Sequence, residues 1–84
     1  MTDLITQKEN KVKKSDIKKK ETKVAEKIKD LRIRRGLSQS ALADKAGIDR
    51  KTVNRIENSH FSPNLSTLFR LCDTLSVAPS ELLK

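Results

Sequence analysis

Residues 36–58 read GLSQSALADKAGIDRKTVNRIEN, a stretch that predicts two short helices joined by a turn. Ser38 is placed to cap the first of these helices, and Gly47 supplies the left-handed residue that ends it. Asp49 is placed to cap the second helix. The apolar positions of the first helix are Leu42, Ala43 and Ala46.

The second of these helices has two different faces when its residues are spaced at about 100° each. Val53, Ile56 and Glu57 fall on one side. The opposite side carries the polar and cationic residues Arg50, Lys51, Asn54 and Arg55. One face is therefore expected to pack against the rest of the chain, and the other to face a ligand.

The charge of the chain indicates what that ligand is. Its 84 residues allow one small domain, and a net charge of +8 with a pI near 9.9 points to a polyanion, with nucleic acid as the first candidate. Cys72 is the single cysteine and can form no internal disulfide, which favours a cytoplasmic location. No apolar run has the length of a membrane span or a signal peptide, so we expect a soluble, unprocessed protein without a membrane partner.

The N-terminal residues 1–21 are predicted to form a basic arm. Residues 8–23 carry eight lysines, and only Val12 and Ile17 are apolar there. Two states remain open for this arm, a solvated and largely disordered segment or a helical extension from Ser15. The seven-residue repeat of Ile17, Val24 and Leu31 keeps the second state open. The lysines either attract DNA phosphates or simply keep the chain soluble.

The first helix of the domain is predicted from about Thr22 to Arg35, with Gly36 ending it. Its apolar stripe consists of Val24, Ala25, Ile28 and Leu31. Arg32 stands at the edge of this stripe and needs a partner. Glu57, at the edge of the packed face described above, is the natural one, so we expect a partly buried ion pair with a structural role.

Two further helices are predicted after the loop at residues 59–63. Asn64 is placed to cap the first, which is expected to be the most buried helix of the domain and to hold Cys72 as an inert core thiol. Its apolar residues are Leu65, Leu68, Phe69, Leu71, Cys72 and Leu75. Pro79 begins a last helix of little more than one turn. Exposed apolar residues at this end, namely Val77, Leu82 and Leu83, predict a dimer interface.

Together these residues resemble the phage-repressor, or lambda-repressor-like, family of helix-turn-helix DNA-binding domains. The resemblance covers about residues 24–83. The small size and the entry Ile48-Asp49-Arg50 are similar to controller proteins of restriction-modification systems and to short plasmid or phage regulators. The residues that carry the resemblance are Leu31, Arg32, Gly36, Leu37, Ser38, Gln39, Leu42, Ala43, Gly47, Val53, Ile56, Glu57, Asn58, Pro63, Leu65, Thr67, Leu68 and Leu75.

The resemblance implies an all-α domain of five helices over residues 22–84, with the helix-turn-helix at about 38–58. It also implies a sequence-specific regulator of transcription, a repressor or autoregulator, that binds a palindromic operator in double-stranded DNA as a homodimer. Bases would be read by Arg50, Lys51 and Asn54. Contacts to the DNA backbone would come from Ser38, Gln39, Thr52, Arg55, Asn58 and His60, with Lys18, Lys19 and Lys20 in the arm.

The resemblance further implies that Gln39 contacts phosphate and braces Arg50. The chain departs from the family pattern at three positions: Ser59 and Ser76 stand where glycine is common, and Ala78 replaces a capping serine. These departures bear on the geometry of the loop and the last helix.

Other functions find less support in the sequence. One histidine, His60, and one cysteine form no catalytic or metal-binding constellation, so we expect no enzyme, metal, cofactor or small-molecule substrate. Phe61 and Phe69 are the only aromatic residues, too few to stack single-stranded RNA. The alternative that stays open is an antitoxin, which would neutralise a toxin through its basic tail or its C-terminal leucines and also repress its own operon.

Overall fold

The structure, a computed structural model, describes residues 11–84, which form five α-helices and no β-strand. The all-α, five-helix prediction is confirmed for this part of the chain. In chain order the helices are α1 Lys14–Arg34, α2 Gln39–Ala46, α3 Arg50–Glu57, α4 Leu65–Leu75 and α5 Pro79–Leu82. No helix within this part of the chain is both long enough and apolar enough to cross a membrane.

Helix α1 begins earlier than the sequence predicts. It starts at Lys14 rather than at about Thr22, which matches the alternative of a helical extension and places the expected boundary of the arm inside a helix. Lysine and glutamate favour helix, and Ile17 continues the apolar face of Val24 by two turns, so nothing in the sequence stops the helix at residue 22. Residues 1–10 of the predicted arm lie outside the described residues.

Two of the three predicted N-terminal caps form. The Ser38 hydroxyl accepts a hydrogen bond from the Ala41 amide at 3.0 Å, and the Asn64 side chain accepts one from the Thr67 amide at 2.8 Å. Asp49 does occupy the capping position of α3, but its side chain makes no capping bond, so that prediction is wrong in detail. Only its backbone carbonyl accepts, as the carbonyl before any helix does.

Gly47 ends α2 with a φ of 71°, as predicted. A second constraint appears in the structure, because a Cβ at this position would lie 2.9 Å from Nη1 of Arg70. That guanidinium donates to the carbonyl of Ala46 at 3.3 Å, at the carboxyl end of α2. The backbone conformation therefore favours glycine, and a Cβ would also displace the Arg70 guanidinium, which is the end of a flexible side chain.

The core lies where α1, α2 and α3 meet α4 and α5. Its fully buried large side chains are Ile28, Leu42, Val53, Ile56, Leu71, Cys72, Leu75 and Leu82. Burial raises the pKa of the Cys72 thiol, and the neighbouring Asp73 carboxylate raises it further, so the thiol stays protonated at neutral pH. Cys72 is thus the core residue that the sequence predicts.

Helix α4 is less buried than predicted. Leu65 is 69% exposed and Phe69 is 49% exposed, so both leave the core and the helix keeps one solvent face. They fall outside the arc that meets the other helices, which Leu68, Leu71, Cys72 and Leu75 already fill.

The last helix, α5, corrects the predicted dimer interface. Leu82 is 1% exposed and belongs to the core, while Val77 packs partly against it and Leu83 stays 62% exposed. A helix of one turn gains stability only by docking, and Leu82 is the side chain that docks it. Ser76 before this helix is left-handed, with φ 55°, and Ala78 provides no side-chain cap. Both departures from the family pattern thus have a structural counterpart.

Candidate nucleic-acid interface

Helix α3 presents a polar face to solvent and an apolar face to the core. Val53, Ile56 and Glu57 are buried, as their helical spacing predicts. The exposed side carries Arg50, Lys51, Asn54 and Arg55. Three of these four are cations, and none of their side chains is needed for the core. The arrangement is suited to binding a polyanion along the length of the helix.

Helix α2 and the turn after it hold α3 in place. The amide of Ile48 donates to the carbonyl of Ala43 at 2.9 Å, which closes the turn behind Gly47. Ile48 is half-buried against the core. The orientation of α3 is therefore determined by its neighbours α1 and α2, and the exposed face needs no ligand to position it.

An ion pair underneath α3 ties it to α1. Nε of Arg32 donates to Oε2 of Glu57 at 2.6 Å, and Nη2 donates to Oε1 at 3.0 Å. The Glu57 side chain is 1% exposed and that of Arg32 is 12% exposed. The remaining Nη1 donates to the carbonyl of Leu37 at 2.8 Å. This is the Arg32–Glu57 pair that the sequence predicts, and it is more buried than expected.

Gln39 connects this ion pair to the exposed face. Its Nε2 donates to Oε1 of Glu57 at 3.2 Å, and its Oε1 accepts from Nδ2 of Asn54 at 3.2 Å. In this structure Gln39 is therefore bonded to Asn54 and not to Arg50, the residue that it is expected to brace. From the first position of α2, Gln39 faces the second turn of α3, where Asn54 lies, and Arg50 lies one turn before it.

Asn58 extends the chain of amides beyond the end of α3. Its Nδ2 donates to the backbone carbonyl of Asn54 at 3.0 Å and to Oδ1 of Asn54 at 3.3 Å. The sequence reasoning missed this link, although the spacing of four residues between Asn54 and Asn58 on one helix face was a signal for it. Five residues of the predicted interface or ion pair are thus connected, namely Arg32, Glu57, Gln39, Asn54 and Asn58.

The other predicted backbone contacts lie around this group. Arg55 and His60 are exposed, Thr52 is half-buried, and the amide of His60 donates to the carbonyl of Arg55 at 2.8 Å. Ser38 is exposed at the start of α2, with its hydroxyl occupied by the Ala41 amide. Among residues 11–84 there is no group of three or more His, Cys, Asp or Glu side chains that could hold a metal ion.

The lysines predicted for the arm lie on α1. Lys18 donates from Nζ to the carbonyl of Ser59 at 2.6 Å, so it reaches the loop that follows α3. The hydroxyl of Ser62 in the same loop donates to Glu21 at 2.5 Å. Lys19 and Lys20 are exposed, and three successive helix positions span about 200°, so the three lysines do not share one face. The sequence reasoning missed both loop contacts.

Comparison with known proteins agrees with this geometry. The family model described as helix-turn-helix matches residues 28–82. An HTH-type transcriptional regulator of Bacillus subtilis (strain 168), YgzD, is 37% identical over 56 residues, which is 67% of this chain and 85% of that protein.

Solved structures lead to the same family. The restriction-modification controller protein C.AhdI from Aeromonas hydrophila superposes with a TM-score of 0.71 at 32% identity, over 74% of this chain and 94% of that one. The hypothetical transcription factor NHTF from Neisseria gives a TM-score of 0.73 at 29% identity, over 77% of this chain and 75% of that one. The chain belongs to the helix-turn-helix family of DNA-binding transcription regulators of the phage-repressor type.

Proposed function

We propose that the protein recognises a specific sequence in double-stranded DNA by inserting α3 into the major groove. The observation that carries this proposal is the exposed row of Arg50, Lys51 and Asn54 on a helix whose other side is fixed in the core. A helix fits the major groove of B-DNA, and side chains in its first turns reach the base edges.

The three residues of that row suit different base edges. The guanidinium of Arg50, at the first position of α3, can donate to O6 and N7 of guanine together. The amide of Asn54 offers one donor and one acceptor, which suits N7 and N6 of adenine. Lys51 supplies a positive charge but lacks the planar pair of N–H donors that a guanidinium presents. Phosphate contacts are assigned to the residues around the row, namely Ser38, Gln39, Thr52, Arg55, Asn58 and His60.

We further propose that two copies bind a palindromic operator and repress transcription by occupying promoter DNA. The exposed Leu83 and the half-buried Val77 remain candidates for the contact between copies, whereas Leu82 does not. Two α3 helices would then lie about 34 Å apart, one turn of DNA. The likeness to a controller protein of a restriction-modification system supports a regulator of this small size.

Selection of bound sequences from a random DNA pool tests specificity and symmetry together. A palindromic winner is expected. Sedimentation of the protein alone and on the selected duplex then measures the number of copies. A monomer at high micromolar concentration in both states contradicts the dimer, and selection without enrichment contradicts sequence-specific binding.

Replacement of Arg50 tests which face of α3 reads the bases. Arg50→Ala is expected to weaken binding to the selected site by about 1 to 3 kcal/mol and binding to random DNA much less. Arg50→Lys is the matched control, because it keeps the positive charge and removes the planar pair of N–H donors. Discrimination at one base pair per half-site should fall in both variants. An equal loss on selected and random duplexes at the same salt concentration makes Arg50 a phosphate contact and overturns the assignment.

The lysines on the first half of α1 are proposed to add affinity that does not depend on sequence. Lys18 is bound to Ser59, in the loop next to the residues assigned to phosphates, so this half of α1 lies beside the proposed DNA path. Replacing Lys18, Lys19 and Lys20 by glutamine should flatten the dependence of log affinity on log salt concentration. An unchanged slope contradicts this contact.

A further inference from the structure

We propose that the buried Arg32–Glu57 pair fixes the orientation of the Asn54 side-chain amide through Gln39. The fixed orientation increases discrimination at the one base pair that Asn54 reads. This inference rests on the proposed function, in which Asn54 touches a base. Glu57 and Gln39 are positioning residues in this scheme, because their effect on the bases passes through another side chain.

The first step concerns the carboxylate of Glu57, which can only accept hydrogen bonds. Two of its bonds come from Arg32 and a third comes from Gln39. Of the two ends of the Gln39 amide, only the Nε2 end can donate to Glu57. The negative charge therefore decides the direction of the Gln39 amide, and the reversed amide would bring two acceptors together.

The second step follows for Asn54. Because Nε2 of Gln39 faces Glu57, Oε1 faces Asn54 and can only accept a hydrogen bond from it. Nδ2 of Asn54 meets that requirement at 3.2 Å. Its Oδ1 then faces Asn58, which donates to it at 3.3 Å. The direction of each hydrogen bond along this path, from donor to acceptor, is thus determined by the bond before it. The path starts at the buried negative charge of Glu57.

The consequence for recognition is a fixed order of donor and acceptor. Asn54 keeps one N–H and one oxygen lone pair beyond those used by Gln39 and Asn58. Adenine presents an acceptor at N7 beside a donor at N6, so an amide held in one direction matches that order and its reverse does not. An amide free to turn matches either order, and discrimination at that base pair falls.

Gln39→Ala is the main test, because it cuts the path and leaves both Arg32 bonds to Glu57 in place. Discrimination at the base pair read by Asn54 should fall about three- to tenfold, while discrimination at the Arg50 base pair should not change. Loss of a Gln39 phosphate contact has a different signature, since it weakens every sequence alike. A loss that is equal on every sequence, with discrimination at the Asn54 base pair unchanged, overturns the proposal.

The double variant with Asn54→Ala establishes whether Gln39 acts through Asn54. In that background, Gln39→Ala should leave base preference unchanged. A further change in preference would mean that Gln39 reads a base itself, which contradicts the proposal. Glu57→Gln is the complementary variant, because its amide can present either a donor or an acceptor to Gln39. Thermal unfolding shows whether the Glu57→Gln variant folds. If this variant does not fold, the test of the proposal rests on Gln39→Ala alone.

An experiment without DNA separates this inference from the proposed function. In NMR spectra of the unbound protein, Gln39→Ala should shift the side-chain amide signals of Asn54, while those of Asn64, which caps α4 outside the path, stay in place. Unchanged Asn54 signals overturn the inference even if DNA binding is confirmed. Shifted signals in a protein that binds no specific DNA support the path of bonds and contradict the proposed function.

Discussion

The two halves of α1 belong to one continuous helix but are held in different ways. Residues 24–34 include Ala25 and Ile28, which are almost completely buried. Residues 14–23 contain no buried residue, and five of the ten are lysines. Helix propensity is enough to continue the helix once it has formed, but only the second half is fixed by burial. Continuity of a helix is thus no measure of its local stability.

The contacts of the two halves differ in the same way. The second half donates from Arg32 to a buried carboxylate, and Arg35, which directly follows this half, donates to the carbonyl of Leu75 at 2.9 Å, at the end of α4. The first half reaches the loop after α3 with the exposed Lys18 and the half-buried Glu21, and with no fully buried group. Its Ile17 lines a shallow groove of about 220 Å³, together with Val24, Phe61 and Leu83. These differences predict how strongly substitutions in each half act.

The largest effect is expected at the ion pair of the second half. Glu57→Ala leaves the Arg32 guanidinium almost buried without its carboxylate, which should lower the free energy of unfolding by about 3 to 5 kcal/mol. Urea unfolding measures the loss. The double variant with Arg32→Ala should be less destabilised than the sum of the single variants, because neither charge is then left alone. Additive losses would show that the pair does not couple the two helices.

A matched pair of isoleucines gives the next largest difference. Ile17 and Ile28 are separated by three helical turns on nearly the same side of α1, and Ile28 is completely buried while Ile17 is 41% exposed. Ile28→Ala should cost about 2 to 4 kcal/mol, since it leaves a cavity in the core. Ile17→Ala should cost under about 1 kcal/mol. Thermal unfolding compares them, and equal losses would mean that the first half is as firmly packed as the second.

The fold followed from local signals that act within a few residues. Ser38, Gly47, Asn64 and Pro79 mark helix ends through capping and backbone conformation, and the structure begins or ends its helices beside them. The Arg32–Glu57 pair could be predicted too, because each residue stands at the edge of an apolar stripe. Such features depend on spacing along the chain, which a sequence displays directly.

The predictions that were wrong concern contacts between helices, which depend on how the helices pack in space. Leu82 and Leu65 are both leucines at a helix end, yet one is in the core and the other is exposed. Helical spacing gives the faces of each helix but not the width of the arc that neighbouring helices cover. The partner of Gln39 depends on the crossing of α2 and α3, which shifted it from Arg50 to Asn54. The start of α1 had a signal in Ile17, but composition alone did not decide between a helix and an arm.

A smaller and stabilising effect is expected in the loop that receives the first half of α1. Ser59 has φ 60°, a conformation that costs an ordinary residue energy and suits glycine. Ser59→Gly should raise the free energy of unfolding by about 0.5 to 1 kcal/mol, and the carbonyl that accepts from Lys18 remains. Ser59→Ala is the control, because it removes the hydroxyl and keeps the Cβ. A gain in the alanine variant as well would assign the effect to the side chain instead of the backbone.

The smallest effect is expected from the bond between Lys18 and the Ser59 carbonyl. Both groups are accessible to water, so Lys18→Ala should change global stability by at most about 0.5 kcal/mol. Amide hydrogen exchange is the more sensitive measurement, since it reports local opening. Amides of the first half of α1 should exchange faster in Lys18→Ala, and those of residues 24–34 should not.

Lys19→Ala is the matched control for that experiment, because it removes the same charge from the neighbouring position of the same helix. If the hydrogen bond to the loop holds the first half, only the Lys18 variant exchanges faster. If both variants act alike, repulsion among the lysines governs this half instead. If all amides of α1 exchange at the rate of global unfolding in every variant, the two halves form one cooperative unit. The two halves would then differ in burial but not in local stability.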